Sequence, residues 1–279
     1  MRIYSFLLVY IILPILSFSQ FPDKKIYEIK RVEQSPRIDG KLNDSIWGNL
    51  HIAKNFSQIS PNNGKSERTS QKTKVKICYD NKNIYFGVMM YDNAADSILK
   101  ELSIRDEENK NFDYFAIYID PFNNNQVEYS FSVSAAGVQI DKKISKTGVD
   151  NTWNAVWKSA VNTNTNGWSL ELSIPFSQLR FPNKNKYWAL NMERGIRRHR
   201  ENYSWNPINT QYTNFGIQAG LIHGIKDIDP PLRLSVMPYS SIYADIYNGE
   251  TTFPYNYGID LKYGINKSFT LDMTLIPDF

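Results

Sequence analysis

Hydrophobic and polar residues alternate with a period of two along most of this chain, which is the pattern of half-buried β-strands. In residues 168–174, Trp, Leu, Leu and Ile alternate with Ser, Glu and Ser. Comparable runs occupy residues 75–79, 84–90, 115–119, 127–133 and 188–192. Between the first two of these, residues 80–83 (Asp-Asn-Lys-Asn) have turn chemistry and predict a β-hairpin. Strands at this spacing predict an all-β protein built as an antiparallel β-sandwich.

The pattern changes after residues 227–231 (Asp-Ile-Asp-Pro-Pro), a stiff, extended connector. Longer alternating runs flanked by aromatic residues follow at 257–263 and 269–275. They are typical of a membrane β-barrel with its apolar side facing lipid, and a second soluble sheet is the alternative. About three strands cannot close a barrel, so we expect a truncated piece of a longer protein. The predicted division is a signal peptide (1–19), a sandwich (20–228) and the first strands of an incomplete barrel (229–279).

The N-terminus has the features of an export signal. Arg2 precedes an apolar run from Phe6 to Ile15, and residues 17–19 (Ser-Phe-Ser) offer small side chains to a signal peptidase. The apolar run is short for a membrane span, so we predict cleavage before Gln20, with an uncleaved anchor as the alternative. The expected location is the cell envelope, in association with the outer membrane, and the sandwich would face either the periplasm or the medium.

Composition and charge exclude several classes of protein. The net charge is +4 over 279 residues, and basic residues are scattered among acidic ones, so we predict no nucleic-acid partner. Cys78 is the only cysteine, which excludes an intramolecular disulfide, and its strand context predicts a buried thiol. No His, Cys and Glu cluster has the spacing of a zinc site.

Several segments resemble one known family. Residues 37–47 (Arg-Ile-Asp-Gly-Lys-Leu-Asn-Asp-Ser-Ile-Trp) resemble the opening signature of carbohydrate-binding module family 9-like domains. Further stretches resemble a branch of bacterial surface proteins, common in Bacteroidetes, whose C-terminal region is called DUF5916: residues 113–122, 136–141, 153–157, 167–181, 258–264 and 271–279. The resemblance implies a β-sandwich joined to an outer-membrane barrel, with carbohydrate as the habitual ligand.

Sugar binding requires flat aromatic faces and a few polar groups, and the tryptophans are the first candidates. If residues 153–157 are extended, Trp153 and Trp157 share a face with Ala155, and we expect one ring in the core and the other exposed. Asn154 stands between them where an acid is expected, so a contact there would be neutral. Trp205 lies in a polar, turn-rich stretch and is the best candidate for an exposed platform, with a loop tryptophan covering the sheet as the alternative.

Charged residues supply the remaining candidates. Asp141 closes one of the matched stretches and is a candidate ligand for sugar hydroxyls. Arg198 lies in an arginine-rich segment that would suit a carboxylate or a sugar acid, with a solvated strand end as the alternative. Family 9-like modules hold structural calcium, so the resemblance implies Ca²⁺ as a possible cofactor, with Asp113 and Asp120 as candidate oxygen ligands. No loop with fixed calcium-ligand spacing is present.

The predicted function is carbohydrate binding by a non-catalytic module that is tethered to an outer-membrane barrel and contributes to carbohydrate capture or catabolism. One alternative is a periplasmic docking or plug domain of a transport barrel. Another is a glycoside hydrolase accessory acting on O-glycosyl bonds. Hydrolysis requires two carboxylates roughly 5 to 9.5 Å apart across a cleft, and the sequence contains no recognisable pair. We therefore expect that the chain is not an enzyme by itself.

Overall fold

The computed structural model describes residues 23–182, 184, 186–229, 234–264 and 270–275. The predicted signal peptide, residues 1–19, lies outside the described residues. Regular structure in the described part consists of β-strands and short 3-10 helices. None of the helices in that part has the length and apolar character needed to cross a membrane.

The strands follow one another along the whole described chain. In chain order they are β1 (Ile26–Glu28), β2 (Lys30–Arg31), β3 (Ser57–Ser60), β4 (Thr73–Tyr79), β5 (Asn83–Tyr91), β6 (Tyr114–Asp120), β7 (Val127–Ser134), β8 (Gln139–Ser145), β9 (Gly148–Asp150), β10 (Lys158–Asn164), β11 (Gly167–Pro175), β12 (Tyr187–Ile196), β13 (Glu201–Ser204), β14 (Gly220–His223), β15 (Leu234–Ile242), β16 (Asp245–Tyr247), β17 (Glu250–Thr252), β18 (Tyr255–Gly264) and β19 (Thr270–Leu275). The 3-10 helices are Ser45–Asn49, Thr69–Gln71, Ala95–Ser97, Phe176–Gln178, Arg197–His199 and Gly216–Gln218.

Two sheets form the predicted sandwich, and that fold is confirmed. The nine-stranded sheet runs β1-β14-β12-β6-β7-β8-β9, with β13 paired to both β12 and β3. The five-stranded sheet runs β10-β11-β5-β4-β2. Their pairings are antiparallel except where β1 joins β14 and β2 joins β4. The N-terminal segment therefore contributes one strand to each sheet.

The core lies between the two sheets because each contributes one apolar face. Trp168, Leu170 and Leu172 of β11 are fully buried, as the alternation predicts. Phe115 and Ile117 of β6 are fully buried on the facing sheet. Each such side chain contributes about 1.5–3 kcal/mol relative to an exposed position. The predicted hairpin is also confirmed, because β4 and β5 pair in register.

The outer face of the five-stranded sheet is covered by the opening signature. Glu171 points outward from β11 and accepts hydrogen bonds from the amides of Asp39 (2.9 Å) and Gly40 (2.8 Å). Its other oxygen accepts the indole N–H of Trp47 at 2.8 Å. Gly87 leaves room for that indole, since a Cβ there would lie 3.0 Å from the ring. The signature therefore has a structural role.

The C-terminal strands form a separate pair of sheets. Strands β15, β18 and β19 make a three-stranded antiparallel sheet, and β16 pairs with β17. The register sets apolar residues opposite one another, as at Val236, Leu261 and Met273. Polar residues such as Asp260 and Asp272 occupy alternate positions. One face of this sheet is therefore a continuous apolar surface with exposed side chains.

Candidate functional site

A cavity of about 560 Å³ lies on the outer face of the nine-stranded sheet. Because Phe115, Ile117 and Ile119 point into the core, the intervening Tyr118 points outward and lines the cavity. The same alternation brings Glu128 of β7 and Glu193 of β12 to this face. The rim comes from the loop after β13, with Ile208 and residues 213–216. The floor is therefore rigid sheet, and the rim is loop.

Two tyrosines hold Glu193 in place on the cavity floor. The Tyr114 hydroxyl donates to Oε1 at 2.5 Å, and the Tyr118 hydroxyl donates to Oε2 at 3.5 Å. Burial raises the pKa of Glu193, and the two tyrosine hydrogen bonds partly oppose that rise. Gly195 makes this arrangement possible, because a Cβ there would lie 2.1 Å from the Tyr114 ring. Tyr118 lines the cavity with its hydroxyl directed at Glu193.

Glu128 has a different environment from Glu193. It is half-buried in the cavity wall, and it has no hydrogen bond or ion pair to any residue that the structure describes. Burial raises the pKa of Glu128 to about 7, and the nearby charge of Asp120 adds to that effect. An acceptor without a partner in a concave site is available to a ligand.

Asp120 anchors the turn beside the cavity. Its two carboxylate oxygens accept hydrogen bonds from four successive backbone amides, those of residues 122–125, at 2.8–3.1 Å. This turn contains Asn123 and Asn125, both with positive φ, a conformation that asparagine tolerates. The bonding of Asp120 is structural.

The calcium ligands expected at Asp113 and Asp120 do not fit a shared ion. The two residues lie at opposite ends of β6, which separates them by roughly 20 Å at about 3.3 Å per residue. Calcium requires 6–8 oxygen atoms within about 2.6 Å. Asp113 is fully buried and accepts the Arg197 amide at 2.9 Å. Among the described residues, no group of three or more His, Cys, Asp or Glu side chains is placed to hold a metal ion.

Trp205 is buried, with 3% of its surface exposed, so the expected exposed platform is wrong at this position. Its ring packs where Gly220 leaves space, and a Cβ on that glycine would lie 2.8 Å from the ring. The alternative, a tryptophan that covers the sheet, describes its position.

The segment containing Trp153 and Trp157 alternates as expected. Trp157 is 6% exposed and packs edge-on against Phe131 at 5.3 Å between ring centroids. Trp153 is half-buried, lies 5.2 Å from the Tyr129 ring and carries the ammonium of Lys143 at 5.0 Å. Both rings therefore contact the core, and the expectation that one of them is exposed is wrong.

Asp141 fastens this segment to the sheet. It is 1% exposed and accepts the Ala155 amide at 2.6 Å and the Trp157 indole N–H at 3.1 Å. The Arg105 guanidinium completes its bonding. Asn154, between the tryptophans, is exposed on the other side. The structure thus brings these predicted residues together in a packing cluster, and their proposed contact with a sugar stays a prediction.

The arginine-rich segment joins the two sheets. Arg198 makes a bidentate pair with buried Asp92 at 2.7 and 2.8 Å. Arg194 is fully buried and donates to the carbonyls of Gln71 (2.8 Å) and Tyr91 (2.9 Å) across the sandwich. Desolvation lowers the pKa of Arg194 to about 10. Arg198 is thus committed to an internal ion pair. The solvated strand end expected as the alternative describes Arg197 and Arg200, which are exposed, and does not describe Arg194 or Arg198.

Apart from Asp120, which was predicted as a calcium ligand, the cavity residues were not among the predicted site residues. Tyr118, Glu128 and Glu193 occupy the polar positions of their strands, which in sequence look like a solvated face. Phe215 is 47% exposed on the rim and has no periodic context in the sequence. The available signal was an outward tyrosine and two outward glutamates on strands that are neighbours in the sheet.

Comparisons with known proteins agree with this architecture. Residues 38–203 match the family model described as carbohydrate family 9 binding domain-like. Residues 230–279 match a domain of unknown function, DUF5916. No curated protein matches the chain.

Solved structures with the same fold include a family 9 carbohydrate-binding module from Caldicellulosiruptor kristjanssonii. Its complex with cellotriose is 15% identical, with a TM-score of 0.52 over 74% of this chain and 96% of the module. Its complex with glucose gives a TM-score of 0.51 at 15% identity over 74% and 98%. A candidate carbohydrate-binding protein from Bacteroides uniformis is 12% identical, with a TM-score of 0.59 over 72% and 99%. At these identities the likeness concerns the fold.

Proposed function

Because the chain belongs to the carbohydrate family 9 binding domain-like family, whose model matches more than half of it, we propose that it binds carbohydrate in the cavity on the nine-stranded sheet. The similar Caldicellulosiruptor module carries cellotriose and glucose. The cavity volume, about 560 Å³, falls within the roughly 300–1,000 Å³ of small-molecule sites. A rigid floor with aromatic and polar side chains is the observation that supports the proposal.

The chemistry of the lining suits a sugar ring. Tyr118 on the floor and Phe215 on the rim offer ring faces to the C–H side of a pyranose. Asn191 and Glu193 offer amide and carboxylate groups to its hydroxyls. The Tyr114 hydrogen bond holds Glu193 before a ligand arrives, which reduces the entropy lost on binding.

Titration of the full chain with cellotriose and glucose, followed by calorimetry, tests the proposal. Phe215→Ala removes an aromatic face worth about 0.5–1.5 kcal/mol, so affinity should fall roughly two- to twelvefold. Phe253→Ala is the matched control, since that ring is 63% exposed in the connection between β17 and β18. Binding that is equal in both variants would place the sugar elsewhere, and absence of binding to any glycan tested would refute the proposal.

The C-terminal strands support a second part of the proposal, in which the module is tethered to the outer membrane by a β-barrel. The continuous apolar face of β15, β18 and β19 has the alternation of lipid-facing strands. The DUF5916 match covers the same residues. In this arrangement the protein is exported and contributes to carbohydrate capture or catabolism at the envelope.

Cell fractionation and mass spectrometry test this second part. The protein should be recovered from outer membranes after a carbonate wash, with Gln20 as its first residue. Recovery in the soluble fraction, or a mature chain that begins at Met1, would contradict it. A docking or plug domain would instead be supported by three results together. The protein is recovered from outer membranes, it binds no glycan, and cells that lack it lose uptake of a solute.

A further inference from the structure

Three side-chain oxygens surround an open space beside Gly216 on the cavity rim. A methyl group built on Gly216 would lie 3.3 Å from Asn125 Oδ1, 3.6 Å from Asn214 Oδ1 and 3.8 Å from Glu128 Oε2. That methyl position lies one covalent bond from the Gly216 Cα, so a ligand atom would lie farther from the glycine. We call the space that the three oxygens border there the Gly216 cradle. The acceptors come from three separate parts of the chain: strand β7, the turn before it, and the loop after β13.

Two of these three acceptors have no hydrogen-bond donor among the described residues. The side chains of Glu128 and Asn125 make no hydrogen bond or ion pair within that part of the chain. From the same residues, Asn214 Oδ1 accepts the Ile217 amide alone, at 3.4 Å. A half-buried acceptor without a donor loses hydrogen bonds to water when the protein folds and gains none in return. A ligand that donates a hydrogen bond to it offsets this desolvation cost.

The charges around the cradle favour a cation. Glu128 faces it directly, and Asp120 and Glu193 lie in the same cavity. Lys146 is the one basic side chain from the described residues that lines the cavity, and the ammonium of nearby Lys142 pairs with Glu108 at 2.6 Å. No guanidinium from the described residues lines the cavity.

We propose that the cavity selects sugars that carry a free amino group, and that the ammonium occupies the Gly216 cradle. An ammonium has three N–H donors and one positive charge, which match three oxygen acceptors that include one carboxylate. A neutral hydroxyl donates only once, and calcium requires about twice as many oxygens. This inference rests on the proposed carbohydrate binding and names the class of sugar.

The test compares three disaccharides by calorimetry with the full chain at pH 7: a glucosamine disaccharide with free amines, its N-acetylated form, and neutral cellobiose. Charge-assisted hydrogen bonds contribute enough that the free amine should bind about tenfold more tightly than cellobiose. N-acetylation should remove the advantage, because it removes the charge and two donors.

Two substitutions test the cradle itself. Glu128→Gln removes its charge, and Gly216→Ala fills its space without requiring a positive φ. Both should lower the ratio of amino-sugar to cellobiose affinity to about one. Matched controls are Glu250→Gln, on an exposed strand, and Gly48→Ala, where an added Cβ meets nothing within 4 Å. Both controls should keep the tenfold ratio.

The pH profile adds a readout that a general structural effect would not produce. Amino-sugar affinity should fall at low pH as Glu128 gains a proton, and again at high pH as the amine loses one. Cellobiose affinity should show no alkaline fall. Equal affinity for both sugars, a preference that survives Glu128→Gln, or loss of the preference when calcium is added would overturn the amino-sugar inference and leave carbohydrate binding intact. Binding of none of the three sugars would overturn both.

Discussion

Glu171 makes more hydrogen bonds to the opening signature than any other described side chain of β11. It satisfies two backbone amides and the Trp47 indole in a place with no access to water. An unsatisfied buried donor costs about 1–3 kcal/mol. The short segment from Asp39 to Trp47 is therefore held on β11 by this carboxylate and by the Ser169 hydroxyl, which donates to the Gly40 carbonyl at 2.6 Å.

We predict that Glu171→Ala lowers the free energy of unfolding by about 3 kcal/mol, because three donors lose their acceptor. Glu171→Gln keeps one carbonyl oxygen and should cost roughly half as much. Urea unfolding followed by tryptophan fluorescence measures both values. A loss below about 1 kcal/mol for the alanine variant would mean that water replaces the carboxylate.

Glu128 destabilises the folded protein when it is ionised, whereas Glu171 stabilises it. Its folded pKa of about 7 lies above the ordinary value of 4.5, so the folded state holds its proton more tightly than the unfolded state. Its contribution to stability is therefore fully present below pH 4.5 and is lost as pH rises toward 7. Some of this loss is screened by solvent because the side chain is half-buried.

Glu128→Gln should accordingly stabilise the protein at pH 8 by about 1–2 kcal/mol and leave it nearly unchanged at pH 4.5. Thermal melts of the two proteins at both pH values make the comparison. Equal destabilisation at both pH values would show that Glu128 is needed for folding, and would remove the inference that it is held ready for a ligand.

At the scale of elements, strand β12 and the residues after it provide hydrogen bonds and an ion pair that join the two sheets. Arg194 reaches from it to carbonyls of the five-stranded sheet, and Arg198 follows at its end to pair with Asp92. Burial alone would raise the pKa of Asp92, but hydrogen bonds from Arg198, the Ala94 amide and Gln71 hold it below the ordinary value. A lowered carboxyl pKa contributes stability above the unfolded pKa, and that stability is lost as pH falls.

Arg198→Ala should therefore destabilise the protein by about 3 kcal/mol at neutral pH, because it leaves a buried carboxylate without its main partner. The difference from wild type should narrow below about pH 4, where Asp92 takes up a proton. Urea unfolding across this pH range provides the measurement, with Arg37→Ala as an exposed control. A difference that stays constant with pH would indicate lost packing without a charge effect.

Alternation in the sequence predicted which segments become strands, and β11 shows why. Its four apolar residues face the core, and the observed strand extends only one residue beyond the predicted run at each end. Apart from the β4–β5 hairpin, which its turn residues predicted, strand partners were not predictable, since β12 lies between β14 and β6 through contacts that periodicity does not encode. Tyr118, Glu128 and Glu193 were missed for the same reason: they meet only after β12, β6 and β7 become neighbours.

At the scale of the whole molecule, the two outer faces of the sandwich have different uses. The five-stranded sheet is covered by a second apolar cluster that contains Trp47, Cys78 and Tyr85. The buried thiol expected at Cys78 is confirmed there, and burial raises its pKa to about 12. The nine-stranded sheet has the loop after β13 at its edge, which leaves the cavity between loop and sheet open to a ligand.

The parallel pairing of β1 with β14 also has a consequence for how the chain matures. A polypeptide made from its N-terminus emerges with β1 first, yet the partner of β1 ends at His223, near the close of the sandwich. The next strand in sequence, β2, pairs with β4 in the other sheet. Long-range pairing of this kind forms slowly. We therefore expect β1 to pair late in folding. The N-terminal segment joins the two sheets only after the whole sandwich sequence has been synthesised.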